Sequence, residues 1–471
     1  MRLIGLFIVC FLHTTFYAQS NDIAIDKIKQ SYLIENEQTN TSLFVLKEAD
    51  SSLAVKLDAE QRTTDSLRIP NPEKKFRNLL AHTFKDDVAQ LFWAPNNKKE
   101  LLVQTIDLKN KTTKEEILPF TFKSQVRLTE FSYNNDYYIM SVKREQNILF
   151  FHQFKNDGTY HSTEVSLEGE KFHVASPQTF PFYRFILNNS ENFSTPPLTF
   201  EFINPKQVTS LTVSASYRKA YIQDDQLILT IDNNPNLTYL LTFNLDNFSY
   251  ERSSISKPMM VYTDRTKSNS FLFDHYLYQI KVNDTSLCLS VKDLNNNEIK
   301  QWKTTDGEEI SYALGDVKQI NPGSNNPRTL EKTRQFIRKF QNLNGGLSVY
   351  NYKNNKLLSI GAVSMEPPKT SYATYFGLMG AIADIALSKP SLNNLDAYAN
   401  RKVMFFNTVL NNEWEPTTID LQDLALDQIN DFINEHQKDI SQINLSIKNN
   451  VYYLGYYSKK EKVYQWKPFV D

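Results

Sequence analysis

Cysteine is nearly absent: the 471 residues contain two, Cys10 and Cys288. Cys10 lies inside an apolar N-terminal run, so the rest of the chain keeps one thiol and cannot form an internal disulfide. Stability must then come from core burial, for which a chain of this length has ample material. Cys288 stands in the apolar run Leu287 to Val291 and reads as a buried, inert side chain. There are only 12 glycines. None forms a phosphate-cradling loop or a Gly-x-Ser-x-Gly elbow, and there is no redox cysteine pair. Charge of one sign is also missing, with 52 Lys and Arg against 53 Asp and Glu. That balance argues against a dedicated nucleic-acid binder, which needs a basic face to displace counterions, but leaves room for a local patch. After the N-terminus no apolar run is long enough to span a membrane; the nearest, Tyr375 to Ala383, is interrupted by Asp384.

What is present begins with Met1-Arg2, an apolar stretch from Leu3 to Leu12, and the small residues Ala18 and Ser20. This resembles the Sec-type signal peptides of Gram-negative bacteria. Val9 stands where a lipid-modified cysteine would need a small residue before it. The resemblance implies export, with residues 1–20 removed after Ala18 or Ser20. Residues 21–471 would then form a single unit in the periplasm or outside the cell.

The strongest internal signal is a repeat. Asp136 opens a sequence of strand, turn, strand, turn, strand that runs to Tyr160. Asp225 opens the same pattern up to Tyr250, and Asp274 opens it again up to Trp302. The anchors lie 89 and 49 residues apart, so the larger gap is expected to hold a further unit, from strands near Tyr183 to Leu187 and Leu198 to Ile203. Asn, Asp and Gly at the turns favour φ > 0 and close tight hairpins. Looser units flank these at Ser42 to Leu57, Val88 to Leu118, Leu347 to Val363 (a hairpin closed at Asn354-Asn355) and Ile443 to Lys467.

A period of about 40–50 residues with four short strands resembles the blades of β-propellers. The fold class expected is therefore all-β, a ring of six to eight four-stranded blades. Strands near the two termini are expected to share one blade, removing exposed edges. The alternative is two consecutive β domains. No specific propeller family is matched: the Trp-Asp ending, the Gly-His opening and the double Gly of the large classes are missing.

Two helical insertions are expected in the C-terminal third, near 326–344 and 419–437. An irregular excursion is expected near 367–402. The second helix carries Asp423, Asp427, Asp431 and Glu435 at intervals of four, and the first carries Lys332, Arg334, Arg338 and Lys339. Docking of one on the other is one reading of this stripe; a solvated face is the other.

The candidate sites are few. Asp136, Asp225 and Asp274 share a position in the repeat and could line one face, although such an Asp commonly bonds its own turn. Asp293 to Glu298 alternates oxygen ligands as a calcium loop does. It lacks the sixth-position Gly and the distal Glu, and it falls where a hairpin turn is needed. Of the histidines His82, His152, His161, His173, His275 and His436, only His152 and His161 lie on neighbouring strands of one unit, where pairing across the hairpin is possible; two ligands alone make no metal site. No metal or cofactor is expected. Trp414 stands out because Asn411 to Pro416 reads as a loop. The function expected is a non-catalytic binding module of the envelope that recognises a protein, peptide or glycan. The alternative is a secreted polysaccharide hydrolase or lyase with carboxylates at the central channel.

Overall fold

The computed structural model describes residues 22–36, 38–96, 99–175, 178–187, 198–205, 208–321, 327–364, 401–422 and 424–471. Residues 1–21, expected to hold a signal peptide and including Cys10, most of the expected 367–402 excursion and Asp423 lie outside the described residues.

Seven sheets of four or five strands follow one another. Blades 1 to 3 span residues 30–70, 78–119 and 125–166, blade 4 has its four antiparallel strands in 218–256, and blade 5 spans 267–305. Blade 6 combines Asn344–Tyr352, Asn355–Val363 and Val403–Leu410 with an outer strand, Leu314–Ile320, taken from ahead of them in the chain. Blade 7 has three strands from residues 440–470, and its fourth is Ile23–Ala24. Ile23 pairs with Tyr464 and Ala24 with Val463, so the two ends of the chain close the ring. The protein is an all-β propeller.

Burial explains why the repeat was legible. Middle strands are covered on both faces and read as apolar runs: Ser286–Asp293 is buried at every position but the last. Outer strands face water: Thr112–Pro119 is exposed at all but one position. The apolar clusters bridge successive blades. One holds Phe44 and Leu46 of blade 1 with Tyr457, Tyr464 and Trp466 of blade 7. Polar bonds reinforce that closing joint: Asn444 Nδ2 donates to Ser31 Oγ at 2.8 Å and Ser446 Oγ to Glu35 Oε1 at 2.7 Å.

In blades 3 to 7 the turns between first and second strands are two-residue loops with φ > 0 at both positions, as type I′ geometry requires. They fall at Asn134-Asn135, Asp224-Asp225, Asp274-His275, Lys353-Asn354 and Asn449-Asn450. The three aspartate anchors are therefore out of register. Asp274 is the first turn residue, Asp225 the second, and Asp136 the first residue of the following strand. The blade 6 hairpin likewise closes one residue earlier than Asn354-Asn355.

The turns between third and fourth strands carry a device that the sequence did not reveal. In each of blades 1 to 5 one residue of that turn adopts the left-handed conformation, Gln61, Lys111, Gly158, Phe248 and Asn296, and in blade 6 Trp414 does so in the turn after the third strand that bridges Leu410 to Pro416. Each reaches back to the preceding blade. Gln61 Nε2 lies 3.4 Å from Ser446 Oγ of blade 7, and Lys111 pairs with Asp65 of blade 1. A Cβ on Gly158 would stand 3.2 Å from Gln90 of blade 2. The Phe248 ring lies 4.7 Å from Phe151 of blade 3, and Asn296 Oδ1 accepts from Ser256 N of blade 4 at 2.9 Å. Trp414 lies 4.7 Å from Tyr276 of blade 5. Blade 7 has no such turn because its outer strand comes from the N-terminus.

The expected unit between blades 3 and 4 is not a blade. Phe182–Leu187 is a helix, α1, which buries Phe182, Phe185 and Ile186 at helical spacing. A short apolar run does not distinguish helix from strand by periodicity. Glu201–Phe202 is a two-residue strand parallel to Lys219-Ala220, and a second short helix, α2, covers Leu211–Ser214. The two C-terminal helices are shorter than expected: α3 is Thr333–Gln341 and α4 is Ala425–His436. Asn344-Gly345-Gly346 not only ends the first of these but opens the inner strand of blade 6. A Cβ on Gly346 would stand 2.7 Å from the backbone N of Ala215, so only glycine admits that approach.

Candidate functional site

The inner strands frame the centre of the ring, and the insertion between blades 3 and 4 crosses it. Phe200 N donates to Leu128 O of blade 3 at 2.6 Å, and Ile203 N to Ala220 O of blade 4 at 2.9 Å. Asn269 of blade 5 ties Ala215 O at 3.0 Å to Gly345 O of blade 6 at 2.8 Å. Val208 reaches the Tyr452 hydroxyl of blade 7. Leu198, Phe200, Ile203, Leu211 and Ala215 are buried along this path.

The carboxylates around the centre are engaged with cations. Glu35 Oε1 lies 3.3 Å from Lys448 Nζ, and Glu130 Oε2 lies 2.5 Å from Arg127. Burial raises the Glu201 carboxyl above its ordinary value, with Arg218 and Lys219 pulling the other way.

The residues singled out in the sequence fall on four different blades at the turn face. Asp136 accepts from Asn156 N and Gln153 Nε2, both at 3.0 Å, and braces its own blade. Asp225 bonds the Tyr133 hydroxyl of the neighbouring blade. Asp274 pairs with Lys356 at 2.7 Å. Trp414 is the blade 6 wedge, half-buried against Tyr276 and Tyr278. Asp274 and Trp414 both lie at the joint of blades 5 and 6; Asp136 and Asp225 lie at that of blades 3 and 4.

Three further candidates meet structural partners instead of a ligand. His152 and His161 do not pair: His152 stands opposite Ser162, one step out of phase with His161. His152 is buried, takes Tyr160 OH at 2.7 Å on Nδ1 and meets Gln125 Oε1 at 2.7 Å through Nε2. Burial pulls its pKa down to about 4. The Asp293 loop turns its carboxylate onto its own backbone, accepting from Asn295 N at 2.9 Å and Asn297 N at 2.8 Å. The two C-terminal helices share no ion pair among the described residues. α3 packs on strands of blades 5 and 6 and α4 on blade 7, so their sheets keep them apart. Asp427 instead accepts from Leu424 N at 3.2 Å at the start of α4. No group of three His, Cys, Asp or Glu among the described residues is arranged to hold a metal.

Sequence reasoning missed a buried ionic triad between blades 4 and 5. Asp232 lies 3.0 Å from Lys257 Nζ and 3.5 Å from Lys219 Nζ, and all three side chains are fully buried. Asp232 also accepts from Thr238 Oγ1 and Ser270 Oγ, both at 2.8 Å. Burial alone would raise its carboxyl, but Lys257 and Lys219 offset this and hold it below the ordinary value. Burial lowers Lys219 to about 8 despite the carboxylate beside it. Isolated charges so buried would be costly; pairing and complete hydrogen bonding make them tolerable.

Lys257 is also the base of the connection into blade 5. Beyond it, Pro258 is buried, whereas Met259 is 97% exposed, Val261 78% and Tyr262 50%. The loop is pinned at its far end. Asn283 Nδ2 donates to Val261 O at 3.0 Å, and Thr266 N to Thr263 O at 2.9 Å. Three large apolar side chains are thus held in water on a fixed base.

No family model and no curated protein matches this sequence. Solved structures similar to it include a prolyl endopeptidase, at 9% identity and TM-score 0.32, over 91% of this chain and 46% of that one. The chain therefore spans about half the length of that enzyme. An oligogalacturonate lyase in complex with manganese is similar at 8% identity and TM-score 0.29, over 83% of this chain and 91% of its own. The WD40 domain of SCAP from fission yeast is similar at 9% identity and TM-score 0.28, over 93% and 84%.

Proposed function

We propose that this protein is an exported, non-catalytic binding module of the cell envelope that recognises a protein, peptide or glycan on its outer surfaces. The observation that carries this reading is the chain segment across the centre of the ring. Residues 198–205 and 208–216 bond the inner strands of blades 3 to 5 and pack on that of blade 6, where the alternative function would need an open channel. A polysaccharide hydrolase or lyase working there needs two carboxylates about 5–10 Å apart and free to act. Glu35 and Glu130 are instead tied to Lys448 and Arg127. Export is part of the same proposal and is supported by the resemblance of residues 1–20 to a Sec-type signal peptide, with cleavage after Ala18 or Ser20.

The test is a panel of polysaccharides offered to the purified chain, with product release and thermal shift read in parallel. Stabilisation by a ligand without turnover is expected. Turnover that disappears in Glu201→Gln would overturn the binding reading in favour of the enzymatic one.

A further inference from the structure

The connection into blade 5 and the connection into blade 6 enter inner strands that run side by side in the ring, so they emerge on one face. The first presents Met259, Val261 and Tyr262 to water. The second ends in α3, whose outer side carries exposed Lys332, Arg334 and Arg338. The two are physically joined. Asp284 takes Arg265 from the first at 3.5 Å and Gln341 Nε2 from the end of α3 at 2.9 Å.

Beside α3 four cations crowd together. Arg328 stands opposite Gln319, and Lys402 precedes Val403, which pairs with Ile320, so both lie at one end of the same sheet beside α3; burial lowers the Lys339 pKa, and Lys402, Arg328 and Arg338 lower it further. Arg328 and Arg338 are exposed, and none of the four has an ion-pair partner among the described residues. Like charges kept together without counter-charges leave a positive patch whose natural complement is an anionic surface.

We propose that this face seats the protein peripherally on anionic phospholipid, with Met259, Val261 and Tyr262 entering the interface and Arg328, Arg338, Lys339 and Lys402 meeting the headgroups. Two features favour a bilayer over a protein partner. The apolar residues form a protruding tip, whereas a protein hot spot is a packed pocket ringed by contacts. Apolar insertion and a polybasic patch are also the two signals that stable peripheral attachment requires together, and Tyr is at home at the interface depth. Among the described residues no helix is long and apolar enough to cross a membrane; the chain lies on the surface. The opposite face, with its short turns, then points away from the lipid and is the one left for a partner.

The test uses sedimentation with vesicles of phosphatidylglycerol and phosphatidylcholine, against vesicles of phosphatidylcholine alone. The full chain is compared with the chain from Asn21, which keeps every described strand, so that the apolar run Leu3 to Leu12 is controlled for. Both are expected to pellet with the anionic vesicles only, and less as salt is raised. Met259→Asp with Val261→Asp, and separately Arg328→Glu with Arg338→Glu, should each weaken binding more than about tenfold, with unchanged thermal melting. Asp224→Asn on the other face should change nothing. Absence of binding to anionic vesicles by the chain from Asn21, or binding indifferent to both pairs of substitutions, would overturn the proposal. Photo-crosslinking from position 259 to a protein, without any vesicle binding, would also overturn it, while leaving the binding-module reading intact.

Discussion

The two faces of the ring are built by opposite means. On one, first and second strands meet in two-residue turns whose shape is dictated by the backbone, with Asn and Asp supplying φ > 0 in a chain that holds only 12 glycines. On the other, long connections between blades rest on tertiary anchors, the Lys219-Asp232-Lys257 triad among them, and display apolar tips and cations without an ion-pair partner among the described residues. A net charge of −1 conceals this difference. Overall balance says nothing about how charge is distributed over a folded surface.

The comparison is broken most severely at the triad. Asp232→Asn leaves two buried ammonium groups without a counter-charge and should cost about 3–5 kcal/mol of stability in urea unfolding. A loss under 1 kcal/mol would mean that water reaches the site.

The pH dependence of the same site comes next. Lys219 has a folded pKa of about 8, below its unfolded value. The unfolded chain therefore binds more protons between about pH 8 and 10.5, and unfolding free energy should rise with pH across that window. Relative to Lys219→Met, the native chain should gain about 3 kcal/mol between those limits. Parallel curves would refute the assignment.

Smaller effects are expected on the turn face. Trp414→Ala should cost about 2–3 kcal/mol, since it removes ring packing and keeps a strained φ. Trp414→Gly should lose about 1 kcal/mol less, because glycine is at ease at φ 63°. Equal losses would show that packing alone sets the wedge. Smallest of all, Asn450→Gly should stabilise the hairpin by about 0.5 kcal/mol or leave it unchanged. A clear destabilisation would point to a role for the Asn450 side chain itself.

Much of the architecture was readable because strands buried on both faces leave apolar runs, and type I′ turns leave Asn and Asp pairs between them. The sharing of one blade by both termini followed from the need to close sheet edges. Blade 6 was harder: its outer strand, Leu314–Ile320, precedes its inner strand, and no local pattern announces such an exchange. The wedge residues were invisible because Gln, Lys, Gly, Phe, Asn and Trp share only a backbone conformation. The triad was missed for a related reason. Lys219, Asp232 and Lys257 sit at unrelated spacings, and a buried lysine looks like a surface one until its surroundings are known. Trp414 was rightly placed in a loop, although the reason for its prominence is packing on blade 5.

Hydroxyl-radical footprinting of the chain from Asn21, with and without phosphatidylglycerol vesicles, tests the asymmetry of the faces most directly. Met259 and Tyr262 are exposed and readily oxidised in solution, as is His275 on the opposite face. Protection of Met259 and Tyr262 by the vesicles, with His275 unchanged, is the predicted result. Protection of His275, or equal oxidation of all three with and without lipid, would contradict it.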